Sequence, residues 1–154
     1  MFKKILVPLD GSELAAKILP QVEDLAKTHQ SQVTLITFGH LASAAGAVEA
    51  TAEVIKEASA HEKRISERYL KKTADALEKK GVRVDWVYEE AVPDHAIVHY
   101  AEKEKIDLIA MATHGKGEIA WVLGSVAEKV VSHATVPVLL LRVMKFKAPL
   151  LKEK

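Results

Sequence analysis

The sequence has no cysteine, which removes disulfides, thiol nucleophiles and thiolate metal sites together and fits a reducing compartment. It also lacks an excess of charge: 22 basic and 21 acidic residues leave a net charge of +1. No overall field draws in a polyanion, so nucleic acid is not an expected partner. Long apolar runs are missing as well. Ile5 to Leu9 is too short for a signal-peptide core and runs into Pro8 and Asp10, and nothing else reaches membrane-spanning length. The expectation is a cytoplasmic protein with no membrane contact. A length of 154 residues suits one domain, assigned to residues 1–143, with a Lys-rich tail at 144–154 carrying Pro149.

What is present alternates between two periods. Ile5, Leu6 and Val7 form a continuous apolar run, followed by Asp10-Gly11-Ser12 as a turn, with Ser12 placed to cap a helix. Apolar residues then recur at Ala15, Ile18, Leu19, Val22, Leu25 and Ala26, a helical stripe that Pro20 should kink. Val33 to Phe38 reads as a second strand, and the small residues from His40 to Gly46 as a loop. From about Glu49 to Lys80 one long helix is expected, with Ala58, Ile65, Tyr69 and Leu77 sharing a face and Gly81 as its stop. Val82, Val84 and Trp86 alternate with Arg83 and Asp85, as in a strand with one wetter face. Pro93 opens a further helix, Leu108 to Met111 is a fourth strand, Ser125 starts a last helix, and Val136 to Leu141 makes a fifth strand.

Strands alternating with helices call for an α/β fold, an open five-stranded parallel sheet with helices on both faces. The strands at Ile5 and Leu108 are apolar throughout and belong in the centre, whereas those at Val82 and Pro137 tolerate an edge. The order 3-2-1-4-5 satisfies this and puts the switch point between strands 1 and 4, where a crevice opens beyond the strands' carboxyl ends. Asp10 and a Gly-rich loop both fall there.

That loop runs from Thr113-His114-Gly115-Lys116-Gly117 to Gly124-Ser125. Phosphate binding needs inward backbone N–H groups, glycines for close approach and a helix N-terminus facing the anion. Gly115, Lys116 and Gly117 supply a candidate nest, Lys116 a cation, His114 a donor, and Gly124 with Ser125 the start of a helix. The pattern is neither a P-loop nor G-x-G-x-x-G. Ser125 followed three residues later by Glu128 is also the pattern of a capping box, so local pattern leaves phosphate cradle and capped loop both open. Likewise Asp10 reads as a turn aspartate, Phe38 as core and Lys116 as a solvated lysine on the bland alternative.

The stretches Val7-Pro8-Leu9-Asp10-Gly11-Ser12-Glu13, Thr113-His114-Gly115, and Gly124-Ser125-Val126-Ala127-Glu128-Lys129-Val130 ahead of Val136-Pro137-Val138-Leu139 closely resemble the universal stress protein family. The resemblance covers nearly the whole chain. It implies a Rossmann-like fold of the adenine nucleotide alpha hydrolase type, a homodimer, and in one branch ATP binding through G-x-x-G-x9-G-[ST]. Here Ala112 stands at the first glycine position, and eight residues separate Gly115 from Gly124. Carried over by position, Asp10 would lie near the ribose or a phosphate-bound Mg²⁺ or Mn²⁺, Leu9 and Phe38 near adenine, and Gly115, Gly124 and Ser125 on the phosphates. Ala112, His114, Lys116, Gly117 and Val126 complete the candidate set.

His95 and His99, four apart on one helix, invite a metal reading, but no third ligand is evident, and no metal site is assigned. A receiver domain would need clustered acids after the first strand, and Pro8-Leu9-Asp10 does not supply them. The expected function is ATP-dependent contact with an unidentified protein partner in a stress response. A nucleotide-free dimeric interaction module and a slow ATPase are the alternatives, the latter resting on Asp10 and His114 alone. The apolar edge at 136–141 is the expected homodimer contact.

Overall fold

The computed structural model describes residues 1–39, 51–115 and 123–143. The loop from His40 to Gly46, the candidates Lys116 and Gly117, and the tail at 144–154 lie outside the described residues. Five strands, β1 (Lys4–Pro8), β2 (Gln32–Gly39), β3 (Arg83–Glu90), β4 (Leu108–Ala112) and β5 (Val138–Leu141), alternate with α1 (Glu13–Ala16), α2 (Leu19–His29), α3 (Ala52–Glu78), α4 (Pro93–Lys103) and α5 (Ser125–His133). The strands form one sheet in the order β3-β2-β1-β4-β5, every pair parallel. This is the expected order, and its physical basis is visible in the burial. Ile5, Leu6 and Val7 are all fully buried because both faces of β1 are covered.

Strand alternation sorts the core into two layers. On one face Ile5, Val7, Leu35 and Ala110 pack with Ile18 and Val22 and with Leu70, Ala74 and Leu77 of α3. On the other, Leu6, Ile36, Ile109 and Met111 pack with Ile97 and Ala101 of α4 and Ala127 and Val130 of α5.

Three local expectations change. Pro20 does not kink a continuous helix: it lies in the first turn of α2, and the chain breaks between α1 and α2 at Lys17 and Ile18. A missing N–H costs nothing where the helix has no partner for it, so the proline starts a helix instead of bending one. Strand β5 begins at Val138, later than expected, with the carbonyl of Pro137 accepting from Ile109 N at 3.0 Å. Trp86, expected on the drier side of β3, is 37% exposed on this edge strand.

At the sheet's amino end the elements are tied off. Asp107 accepts from the amides of Lys3 at 2.8 Å and Lys4 at 3.1 Å, while the two lysine ammonium groups bond the carbonyls of His29 and Glu104 at the ends of α2 and α4. Lysines on terminal carbonyls satisfy the groups a helix leaves open at its C-terminus. Glu23 bridges Lys27 and Lys80 at 2.7 Å each, and these two cations hold its carboxyl below the usual carboxylate range.

Candidate functional site

The carboxyl ends of β1 and β4 open into a cleft of about 750 Å³, within the size range of small-molecule sites. Its floor begins with β1. The amide of Leu9 donates to Ile36 O at 2.8 Å, and Thr37 Oγ1 donates to Leu9 O at 2.9 Å, fixing the chain just before it turns. Gly11 then takes φ +79°, a conformation glycine adopts without steric cost. Ser12 caps α1 by accepting from Ala15 N at 3.1 Å, and its own amide donates to Asp10 Oδ1 at 2.9 Å. The same turn that starts α1 therefore orients the Asp10 carboxylate.

Opposite, β4 delivers Thr113, which is 4% exposed. Its amide donates to Leu141 O at 2.9 Å, its carbonyl accepts from Gly124 N at 3.0 Å, and its hydroxyl lies 2.8 Å from His114 Nδ1. His114 is 3% exposed. It is thus a buried, oriented ring in the cleft wall. Gly115 follows in direct contact with β1's turn: a Cβ built on it would lie 2.1 Å from Asp10 Oδ2. Only the missing side chain lets the carboxylate and this backbone share the space.

Of the sequence candidates, Leu9, Asp10, Phe38, Ala112, His114, Gly115, Ser125 and Val126 all line this one cleft. They come from four separate stretches of chain. Leu9 and Phe38 are buried apolar surface, at 4% and 8% exposure. Gly124 is placed differently from the expectation. It is buried, does not line the cleft, and its N–H is engaged by Thr113. It is also the N-cap of α5, with no side-chain cap hydrogen bond, and Ser125 is the first helical residue. Ser125 and Glu128 therefore form no capping box; the amide of Glu128 bonds Gly124 O at 2.8 Å. The outward N–H groups at this end belong to the first turn of the helix.

The sequence reading missed the wall supplied by α3. Ala58, His61, Glu62, Ile65 and Ser66 line the cleft, although Ala58 and Ile65 read as part of a core face. The available signal was length. A 27-residue helix is about 40 Å long, while the 8-residue β2 spans about 27 Å, so α3 must overshoot the sheet.

The universal stress protein family model matches residues 1–142. The chain belongs to the universal stress protein family. Among its relatives, universal stress protein MJ0531 of Methanocaldococcus jannaschii is 35% identical over 148 residues, covering 92% of this chain and 83% of the relative. The solved structure of MJ0577 from the same organism superposes with a TM-score of 0.84 at 28% identity, covering 96% of this chain and 99% of that one. Two more distant solved members carry the fold in complex with nucleotides. One, with cAMP, has a TM-score of 0.67 at 19% identity and covers 92% of this chain and 98% of its own. The other, from Arabidopsis thaliana with AMP, has a TM-score of 0.66 at 14% identity and covers 91% of each. At those identities the likeness to these universal stress proteins is one of fold.

Proposed function

We propose that this universal stress protein binds an adenine nucleotide, with ATP as its working ligand, in the cleft between β1 and β4, and that occupancy alters its contact with a protein partner. The observation that carries this reading is the packing of Gly115 against Asp10 beside the first turn of α5. A backbone with no side chain, an oriented carboxylate and a helix N-terminus meet within one cleft, the combination a phosphorylated ribose needs. Leu9 and Phe38 offer apolar surface to the base, Asp10 a carboxylate to the ribose, and His114 with the α5 amides donors to phosphate. Because Thr113 takes the Gly124 amide, the donors on α5 are assigned from Ser125 onward.

Among the described residues no group of three His, Asp or Glu side chains could hold a metal ion. A Mg²⁺ or Mn²⁺ would therefore come with the nucleotide's phosphates, with Asp10 as its protein ligand. The fold's occurrence with cAMP and AMP in distant members supports the ligand class without assigning any residue here.

The domain is taken as residues 1–143 in a cytoplasmic homodimer paired through β5. Its support is that Val138, Leu139, Leu140 and Leu141 are half-buried, apolar and at a sheet edge, which a twin strand would cover. A monomeric mass by light scattering at micromolar concentration would overturn that assembly. The nucleotide reading is tested by denaturing purified protein and assaying the supernatant for adenine nucleotide, then titrating ligand-free protein with ATP and Mg²⁺ by calorimetry. Retained nucleotide or saturable heat is expected; absence of both leaves a nucleotide-free interaction module.

A further inference from the structure

We infer that the Asp94–Lys129 ion pair is a positioning device for the amino-terminal turn of α5, and that it sets how tightly the cleft holds a ligand's phosphates. The affinity part rests on the nucleotide reading above; the positioning part stands on geometry alone.

Asp94 is the second residue of α4, and Lys129 lies four residues, one turn, beyond the start of α5. Both helices begin at the cleft: Pro93 lines it from α4, and Ser125, Val126 and Ala127 from α5. Lys129 Nζ donates to Asp94 Oδ2 at 2.5 Å, while Oδ1 accepts from the His95 amide at 2.8 Å. Both carboxylate oxygens are thus engaged, on a side chain only 6% exposed. The Lys129 ammonium beside it holds the Asp94 carboxyl below the usual carboxylate range.

Besides the ion pair, the two helices meet through apolar packing of Ile97 and Ala101 with Ala127 and Val130 and through the tilted rings of His95 and His133, with centroids 6.2 Å apart, packing contacts without the directionality of a hydrogen bond. They hold the helices together without fixing where α5 sits along its own axis. A charge-assisted hydrogen bond has the directionality they lack. The other fixed point is the Gly124 amide on Thr113 O at 3.0 Å. The turn from Ser125 to Glu128 lies between these two anchors. Phosphate affinity at a helix end depends on where its amides point, so a small axial slip costs binding.

Lys129 could alternatively act as a phosphate cation in its own right, and the two roles predict opposite signs. Asp94→Asn frees the ammonium. If Lys129 is a direct ligand, ATP binds more tightly; if the pair positions α5, ATP binds more weakly. The experiment titrates wild type, Asp94→Asn, Lys129→Gln and Lys129→Arg with ATP and with adenosine, each with Mg²⁺, and follows amide hydrogen exchange without ligand. Positioning predicts that Asp94→Asn and Lys129→Gln lose about tenfold in ATP affinity and less than about twofold for adenosine, with Lys129→Arg close to wild type. It also predicts faster exchange of the Glu128 amide, which bonds Gly124 O, in the two variants that break the pair. Equal losses for ATP and adenosine, tighter ATP binding by Asp94→Asn, or unchanged Glu128 exchange would overturn the inference. If wild type binds no nucleotide, the functional reading falls by itself, and the Glu128 exchange still decides whether the pair holds the turn.

Discussion

The two ends of the sheet are built from the same strands and helices, yet one is sewn shut and the other is open. At the amino end helices finish, and their terminal carbonyls meet Lys3 and Lys4, while Asp107 takes the strand amides. At the carboxyl end helices begin. Of the four that border the cleft, α1 and α3 start on the side-chain caps Ser12 and Thr51, whereas α4 and α5 start at Val92 and Gly124 without one. At one end polar side chains tie helix ends to strand amides, and at the other two helices begin beside the cleft without an N-cap side chain. Stability and ligand chemistry are thereby separated in space, and substitutions should separate them too.

The largest expected effect lies at the closed end. Asp107→Ala removes the acceptor of two backbone amides and should lower unfolding free energy by about 2 kcal/mol in urea titration, with ATP affinity unchanged. Gly115→Ala is the converse. The added Cβ meets the tip of an exposed aspartate side chain, which can swing aside, so stability should fall by under about 1 kcal/mol. ATP affinity should drop by about tenfold, or about 1.4 kcal/mol, because the displaced carboxylate no longer shares the floor.

Breaking the Asp94–Lys129 pair with Lys129→Gln should cost about 0.5–1 kcal/mol near neutral pH. The Asp94 carboxyl titrates lower in the folded state than its unfolded value of about 3.9. Its contribution is therefore complete above that value and disappears as pH falls through the folded pKa. Wild type and Lys129→Gln should converge in stability there, which denaturation across an acid series measures. The smallest effect belongs to Tyr69, whose hydroxyl is buried without a hydrogen-bond partner among the described residues. Tyr69→Phe should lie within about 0.5 kcal/mol of wild type, on the stabilising side.

The sheet was legible because burial on two faces writes itself into a strand as an unbroken apolar run, as in Ile5-Leu6-Val7, and tolerance of an edge as alternation or proline. The turn at Gly11 and the cap at Ser12 were legible for the same reason: their chemistry is local. The site was read in part. Asp10, His114 and Gly115 sit at strand ends whose position follows from topology, so the switch point brought them together. The α3 wall was not legible from its apolar stripe, because a helix stripe looks the same whether it meets a sheet or overhangs a cleft; only the length of the helix against that of the strands signalled it. His61 and Glu62 became cleft residues only through the mismatch of helix and strand lengths. Ser125 shows the reverse limit, since a capping-box pattern was present in sequence and Gly124 took the cap in three dimensions.

Thr113 joins features that sequence keeps far apart. Its amide hangs on Leu141 at the end of the edge strand, its carbonyl holds Gly124, and its hydroxyl meets both His114 and, at 3.4 Å, the amide of Val143. The rim of the sheet and the rim of the cleft are therefore bolted to one post. The last residues of β5 and the first of α5 thus share one anchor, and the edge of the sheet and the lip of the cleft take their positions from a single threonine.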